Sequence, residues 1–433
     1  MSQPVERETG APSAPKTGRG KLIAIVVTVL VLVAIGAAAV YYLSLPAGPT
    51  GTIKVGFTIA LTGRYTVEGT NSLRGIETAA NWINSHGGIT VQGKLYNISL
   101  VYYDDQSLQS NVVSLYSQII EQDGAQFLLA PYTTALTTTA APIADQYDRV
   151  MMSHGGAADT IWTQTTRRNL VEVLSPASAY LKGAVDWLDT NHPADQIAVL
   201  HENDAFSTLA AWSAIAYAQS LGLSVVYNQS YATGTTDLSP QLNAAQAAGA
   251  DVLLGGGHFN DGLLIMNQLK TIWTPKFISL LVAVTEPSFK TQLEPAENNV
   301  TGPSQWESAA TYSPTLAQSL GLPWYGPTPT EFTQLYGSLN AGASPSYHSA
   351  EAGGALLVLA EAIGRANSLN TTDVRAALGS MHIMNFFGQF QIASSGLQIA
   401  HSMILVQWQA GILKIVYPTD VAQASVQYPY TGS

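Results

Sequence analysis

No cysteine occurs among the 433 residues, and that absence removes disulfides, thiolate metal centres, cysteine nucleophiles and lipid attachment through an N-terminal cysteine. Charge is scarce as well. Only 11% of residues are Asp, Glu, Lys or Arg, and the balance is acidic at −11. Nucleic-acid binding needs Lys and Arg clustered on phosphates, and the chain has no such cluster, so a nucleic-acid partner is excluded. Neither a GxxxxGK[ST] phosphate loop nor a GxSxG nucleophile turn is present. Gly255-Gly256-Gly257 lacks the third glycine of a dinucleotide fingerprint, where Asn260 stands, and His201-Glu202 meets Ala205 where a zinc helix places its second histidine. Asp104-Asp105 closes a strand-like run and leads into a helix, the position of an N-cap. No catalytic set, metal site or cofactor site results, and the chain reads as a non-enzyme.

What the sequence does have begins at its N-terminus. Met1 to Lys21 is polar and reads as a cytoplasmic tail, with Arg7, Lys16, Arg19 and Lys21 before an uncharged run from Leu22 to Leu45. At about 1.5 Å per helical residue that run is long enough for a hydrocarbon layer of roughly 30 Å. It is expected to be a transmembrane helix, with the basic residues inside and everything after Pro46 outside, giving a single-pass protein of the cell membrane. A cleaved signal peptide is the alternative, since Ala37-Ala38-Ala39 offers small residues, though its apolar core is usually about 7–15 residues. Residues 46–50 form a linker. Asn97, Asn228, Asn299 and Asn370 each open an Asn-x-Ser/Thr glycosylation signal, in keeping with an external location.

Beyond the linker, strand-like and helix-like segments alternate. Ile53 to Ile59 and Ile98 to Tyr103 have strand character; Ser72 to Ser85 has helical spacing and stops at Gly87-Gly88. The alternation resumes from Ile197 to Trp273, and a hairpin is expected at Ser402–Trp408 and Ile412–Tyr417 across Gln409-Ala410-Gly411. Such a pattern predicts an α/β fold of parallel sheets covered by helices, with ligands at the carboxyl ends of the strands. Because single cores stop growing near roughly 250–300 residues, two lobes are expected.

One stretch organises the rest. Phe127-Leu128-Leu129-Ala130 breaks at Pro131-Tyr132-Thr133-Thr134 and passes into a helix over Ala135 to Tyr147; Val150-Met151-Met152 then ends in Ser153-His154-Gly155-Gly156-Ala157. Thr133 and Thr134 fall where the first helical N–H groups lack partners, so the turn can hold a carboxylate or carbonyl oxygen, or its hydroxyls can serve as ordinary N-caps.

The ordered set IKVGFTIALTG at Ile53–Gly63, RGIETAANWIN and HGGI at Arg74–Ile89, YYDDQS at Tyr102–Ser107, APYTTALTTTAAPIA at Ala130–Ala144, AAGADVLLGGG at Ala247–Gly257 and LVQWQAGILKIVYP at Leu405–Pro418 resembles the leucine/isoleucine/valine-binding family of ABC-importer solute-binding proteins. The resemblance covers roughly Gly51 to Pro418. It implies a type I periplasmic-binding fold: two doubly wound parallel-sheet lobes joined by three crossings, near Leu174–Ser175, Thr301–Trp306 and Met384–Gly388. Lobe one would be 51–174 with 307–383, lobe two 175–306 with 384–420, and 421–433 a C-terminal tail.

The resemblance also implies roles. Thr133 and Thr134 fall at the carboxylate-binding loop, and Gly155, Gly156 and Ala157 at the loop that meets a ligand amino group. The hydroxyl expected at Ala157 is missing, and the usual ammonium-binding acid aligns with the apolar run Leu280–Val282. A buried ammonium needs a partner, so Glu68 or Glu286 is expected to take the cationic end; the alternative is that both are solvated loop acids. Phe206 and His258 are placed to close over a ligand by stacking, with Trp306 and His348 as further candidates. The expected function is capture of a small amino acid or amide-like ligand by lobe closure, with ABC permease subunits as partners. A membrane-anchored sensory ectodomain is the alternative.

Overall fold

The computed structural model describes residues 26–36, 49–164 and 167–431. The chain divides into two compact units, Met1–Gly48 and Pro49–Ser433. In the first, residues 26–36 are helical, about 16 Å at 1.5 Å per residue and so roughly half of a bilayer core. No helix among the described residues is long and apolar enough to cross a membrane. The expected transmembrane helix over Leu22–Leu45, and the single-pass membrane location drawn from it, are corrected by that length. Residues 1–25 and 37–48, which include the expected tail and most of the linker, lie outside the described residues.

The second unit holds two sheets. The strands of the first are β1 (Gly51–Ile59), β2 (Ile89–Val91), β3 (Lys94–Asp104), β4 (Phe127–Leu129), β5 (Met151–Ser153) and β6 (Leu170–Glu172), ordered β2-β3-β1-β4-β5-β6. All pairs are parallel except β2 with β3. β4 and β5 are buried on both faces, which is why each reads as a short apolar run instead of an alternation. The second sheet takes β7 (Ile197–Glu202), β8 (Val225–Tyr231), β9 (Val252–Gly256), β10 (Phe277–Leu280) and β11 (Thr301–Ser304). A short pair, β12 (Ile383–Asn385) and β13 (Gly388–Phe390), stands apart, and β14 (Ile404–Gln409) with β15 (Ile412–Tyr417) completes the second sheet in the order β15-β14-β11-β10-β9-β7-β8. β7 to β11 run parallel, and the β14–β15 hairpin joins antiparallel. Its turn places Ala410 at φ 49° and Gly411 at φ 73°, the left-handed pair that a two-residue hairpin requires.

Between β11 and β12 the chain returns to the first lobe as helices. The long helix Tyr347–Ala366 lies along Thr66–Ser85. Their backbones touch at Gly75, where a Cβ would stand 1.9 Å from the Ser349 carbonyl oxygen, so no other residue fits there without parting the helices. Residues 391–399 stay on the first sheet: the Glu172 N–H donates to the Gly396 carbonyl at 2.9 Å and Gln398 Nε2 to the Val173 carbonyl at 3.0 Å. The final return to the second lobe thus falls between Gln398 and Ile404, later than the expected passage at Met384–Gly388. The C-terminal segment is docked on lobe two. Tyr428 donates its hydroxyl to Asp195 at 2.6 Å, Tyr430 to the Ala296 carbonyl at 3.0 Å, and the Gln407 and Gln409 side chains bond the backbone of residues 425 and 427.

Of the four Asn-x-Ser/Thr positions, only Asn228 and Asn370 are exposed. The Asn370 side chain caps the following helix, its Oδ1 accepting from the Thr372 N–H at 2.8 Å.

Candidate functional site

The strand ends of both sheets converge on one cavity, lined by Tyr132 and Gly155 from loops after β4 and β5, Leu174 and Tyr180 from the first passage, Phe206 from the first turn of the helix Ala205–Ser220 that follows β7, His258 and Val282 from loops after β9 and β10, and Tyr347, His348 and Glu351 from the helix Tyr347–Ala366. Both lobes contribute to its wall. The space leaves about 10 Å³ for the centre of a water molecule, room for one water and no more.

The threonine turn stands beside this cavity without lining it. Thr133 sits at φ 77° and its Oγ1 accepts from the Leu136 N–H at 3.2 Å. Thr134 Oγ1 accepts from the Ala158 N–H at 3.2 Å, tying the β4 turn to the β5 loop. Gly155 reaches the wall because it packs flat on Tyr132: a Cβ there would lie 2.8 Å from the ring. Gly156 is turned inward, its N–H and carbonyl both bonded to Ser153 Oγ. The Ala157 carbonyl accepts from the Ala177 N–H at 2.7 Å. Phe206, His258 and His348 do line the cavity. Trp306 does not: its Nε1 donates to the Phe386 carbonyl at 2.9 Å and its ring packs edge-on against Phe332 and Phe386.

Charged groups join the lobes around the cavity. Arg64, in the loop after β1, bonds Glu202 at 2.7 Å and Asp261 at 2.8 Å, and Asn260 Nδ2 donates to the Arg64 carbonyl at 3.2 Å. Glu68 accepts the Phe259 N–H at 3.1 Å. Glu286 is held by His348 Nδ1 at 2.5 Å and Asn71 Nδ2 at 2.6 Å. The expected cation partners, Glu68 and Glu286, are therefore neither solvated loop acids nor cavity-lining groups; both are buried contacts between lobes.

His258 is buried between Tyr132, whose hydroxyl lies 3.1 Å from Nδ1, and Asp204, 3.3 Å from Nε2. Burial pushes its pKa down, but the hydrogen bond and charge of Asp204 outweigh that and bring it to about 9. His154, buried with neither ring nitrogen hydrogen-bonded, is pushed by burial down to about 4. Glu202, Asp204 and His258 place three possible ligand atoms within 4.8 Å of one another, yet all three are engaged by Arg64 or by each other.

Six residues on the wall were not among the sequence candidates: Tyr132, Leu174, Tyr180, Val282, Tyr347 and Glu351. Glu351 had a signal. It is the one acidic residue in the run Ser346 to Ala360, inside a helix that is buried throughout that stretch, and a lone carboxylate there calls for a reason. Burial, then the nearby Glu286, push its carboxyl well above the usual carboxylate range.

Two lobes whose strand ends face one cavity define the class of bilobal solute-binding proteins. The family profile described as periplasmic binding protein matches residues 52–412. The chain belongs to that family, within its branched-chain amino acid binding group of type I fold. Leu/Ile/Val-binding protein homolog 7 of Brucella melitensis biotype 1 is 24% identical over 412 residues, 92% of this chain and 99% of the relative. The fold is shared with the branched-chain amino acid transporter substrate binding protein LivJ of Streptococcus pneumoniae, in complex with isoleucine, at TM-score 0.71 and 19% identity over 87% of this chain and 100% of that one. An ABC transporter solute binding protein of R. palustris, in complex with 4-hydroxybenzoate, shares it at TM-score 0.69 and 17% identity over 88% and 98%. The family is one of substrate-binding proteins, not enzymes.

Proposed function

We propose that this chain is the solute-binding subunit of an ABC importer and captures a small amino acid or amide-like molecule by closing its two lobes. The observation that carries this reading is the cavity at the strand ends, walled by both lobes. Isoleucine is far larger than the single water that the cavity accommodates, so entry requires the lobes to part and the bonds of Arg64, Glu68 and Glu286 across the cleft to break. Ligand contacts made to both lobes then favour the closed form by their differential affinity, and a permease can read closure as the loaded state. Tyr132, Phe206, His258 and His348 are the residues we assign to ligand contact, with Thr133 and Thr134 holding the β4 turn in place beneath Tyr132. Titration of the full chain with isoleucine and other small amino acids and amides, read by calorimetry and small-angle X-ray scattering, tests this. Binding with the loaded chain remaining compact is expected, and binding that raises the radius of gyration, the ligand holding the lobes apart, would remove the closure mechanism.

A further inference from the structure

The carboxylates gathered between the lobes are not equivalent. Glu202 and Asp261 share Arg64, Asp204 holds His258, and Glu286 is gripped by His348 and Asn71. Glu68 spends one oxygen on the Phe259 N–H and leaves Oε2 without a partner, but it does not line the cavity. Glu351 does line it, is 1% exposed, and presents an Oε2 with no hydrogen-bond partner. No Lys or Arg stands on the same wall. A buried carboxylate without a counter-charge is costly, by several kcal/mol when ionised, so the site is completed by whatever positive charge enters the cavity.

The rest of the wall suits such a charge. Tyr132, Tyr180, Phe206 and Tyr347 surround the same space, with Tyr180 edge-on to Phe206 at 4.9 Å between ring centres and Tyr347 stacked on His348 at 4.1 Å. Aromatic faces carry negative quadrupole potential and attract a cation that has shed its water. The cationic side chain on the wall, His258, has Asp204 at its Nε2 and the Tyr132 hydroxyl at its Nδ1, which leaves it no ring N–H for a ligand anion. His348 adds a free Nε2, an acceptor when Nδ1 carries the proton shared with Glu286.

We propose that Glu351 is the counter-charge for a cationic amino group on the ligand, so that this cleft selects compact amines and amino acids and rejects small aromatic anions. The proposal deepens the solute-binding reading and rests on it. It moves the ammonium contact to the first lobe, onto a helix, and releases Glu68 and Glu286 to the work of joining the lobes.

Matched probes separate the two levels. Calorimetry on the full chain would compare isoleucine, 4-hydroxybenzylamine, 4-hydroxybenzyl alcohol and 4-hydroxybenzoate, the last three sharing one ring and differing in charge. The amine is expected to bind at least about 100-fold more tightly than the benzoate. In Glu351→Gln, which keeps the shape and removes the charge, the amine should lose about 100-fold, while the alcohol should change by less than about threefold. Thermal unfolding of the variant checks that it is folded. Benzoate binding as tight as the amine, or a folded Glu351→Gln protein that keeps the amine's affinity, overturns the role of Glu351 and leaves the solute-binding reading standing. Failure of all four probes to bind overturns both.

Discussion

Glu286 and Glu351 are both buried carboxylates at the junction of the lobes, and they differ in one respect. Glu286, on the second lobe, has each oxygen bonded to a side chain of the first, His348 and Asn71. Glu351, on the first lobe, lines the cavity and has an Oε2 with no hydrogen-bond partner. A fully satisfied buried carboxylate fixes an arrangement, whereas one left open carries a standing cost that a folded protein tolerates only for a purpose. The joint between the lobes therefore has two kinds of polar group, those that hold it shut and those that wait for something inside it.

The sharpest way to break that comparison is at Arg64, the strongest of the holding groups. Arg64→Met would leave Glu202 and Asp261 buried without a cation, at a cost of about 3 kcal/mol. The closed form should lose that much, seen as a larger radius of gyration and a melting temperature lowered by several degrees. A variant that stays compact and unfolds like the parent would place the closing energy elsewhere.

A comparable effect should come from pH, through His258. Its pKa stands at about 9 in the fold against about 6.5 in the unfolded chain. A raised pKa means that the stabilisation is fully present below about 6.5 and is lost as pH rises through about 9, about 3 kcal/mol in all. Besides Asp204, the charges of Glu68 and Glu202 favour the protonated ring. Denaturant unfolding across this range should show the decline, and Asp204→Asn, which keeps a cap for the Ser207 N–H, should flatten most of it. An equal slope in parent and variant would detach the effect from this pair.

The smallest effect carries the comparison itself, because the two glutamates should answer with opposite sign. Glu286→Gln weakens a charged hydrogen bond to His348 and should destabilise the ligand-free protein by about 2 kcal/mol. Glu351→Gln removes an uncompensated carboxyl and should stabilise it by about 1 kcal/mol. Thermal unfolding of both, side by side, decides the matter. The same sign in each would mean that Glu351 has a partner of its own.

Much of the fold was legible in advance. The hairpin predicted across Gln409-Ala410-Gly411 forms there, and the helices read over Ser72–Ser85 and Ala135–Tyr147 are found over Thr66–Ser85 and Thr134–Gln146, because period-2 and period-3.6 patterns are local and survive any tertiary setting. The N-terminal run shows the limit of the same logic. Hydropathy over Leu22–Leu45 counts residues that are able to be helical in lipid, while the described helix spans only 26–36. The site was less legible. Phe206, His258 and His348 were reached through family resemblance, whereas the threonines, expected to hold the ligand, stand beside the cavity and not on its wall. Glu351 was passed over because a helix that is apolar on every side offers no periodicity to mark which face meets a cavity.

By itself, then, the sequence determined the order of strands and helices, the cysteine-free chemistry and the turns that carry Tyr132, Gly155, Phe206 and His258. Only the tertiary structure decided that Arg64 meets Glu202 and Asp261, that Glu286 is spent on His348, and that Glu351 is left open. The physical reason is range. Backbone propensity acts over three or four residues, whereas the worth of a buried charge depends on which atoms from distant parts of the chain arrive within about 3 Å of it.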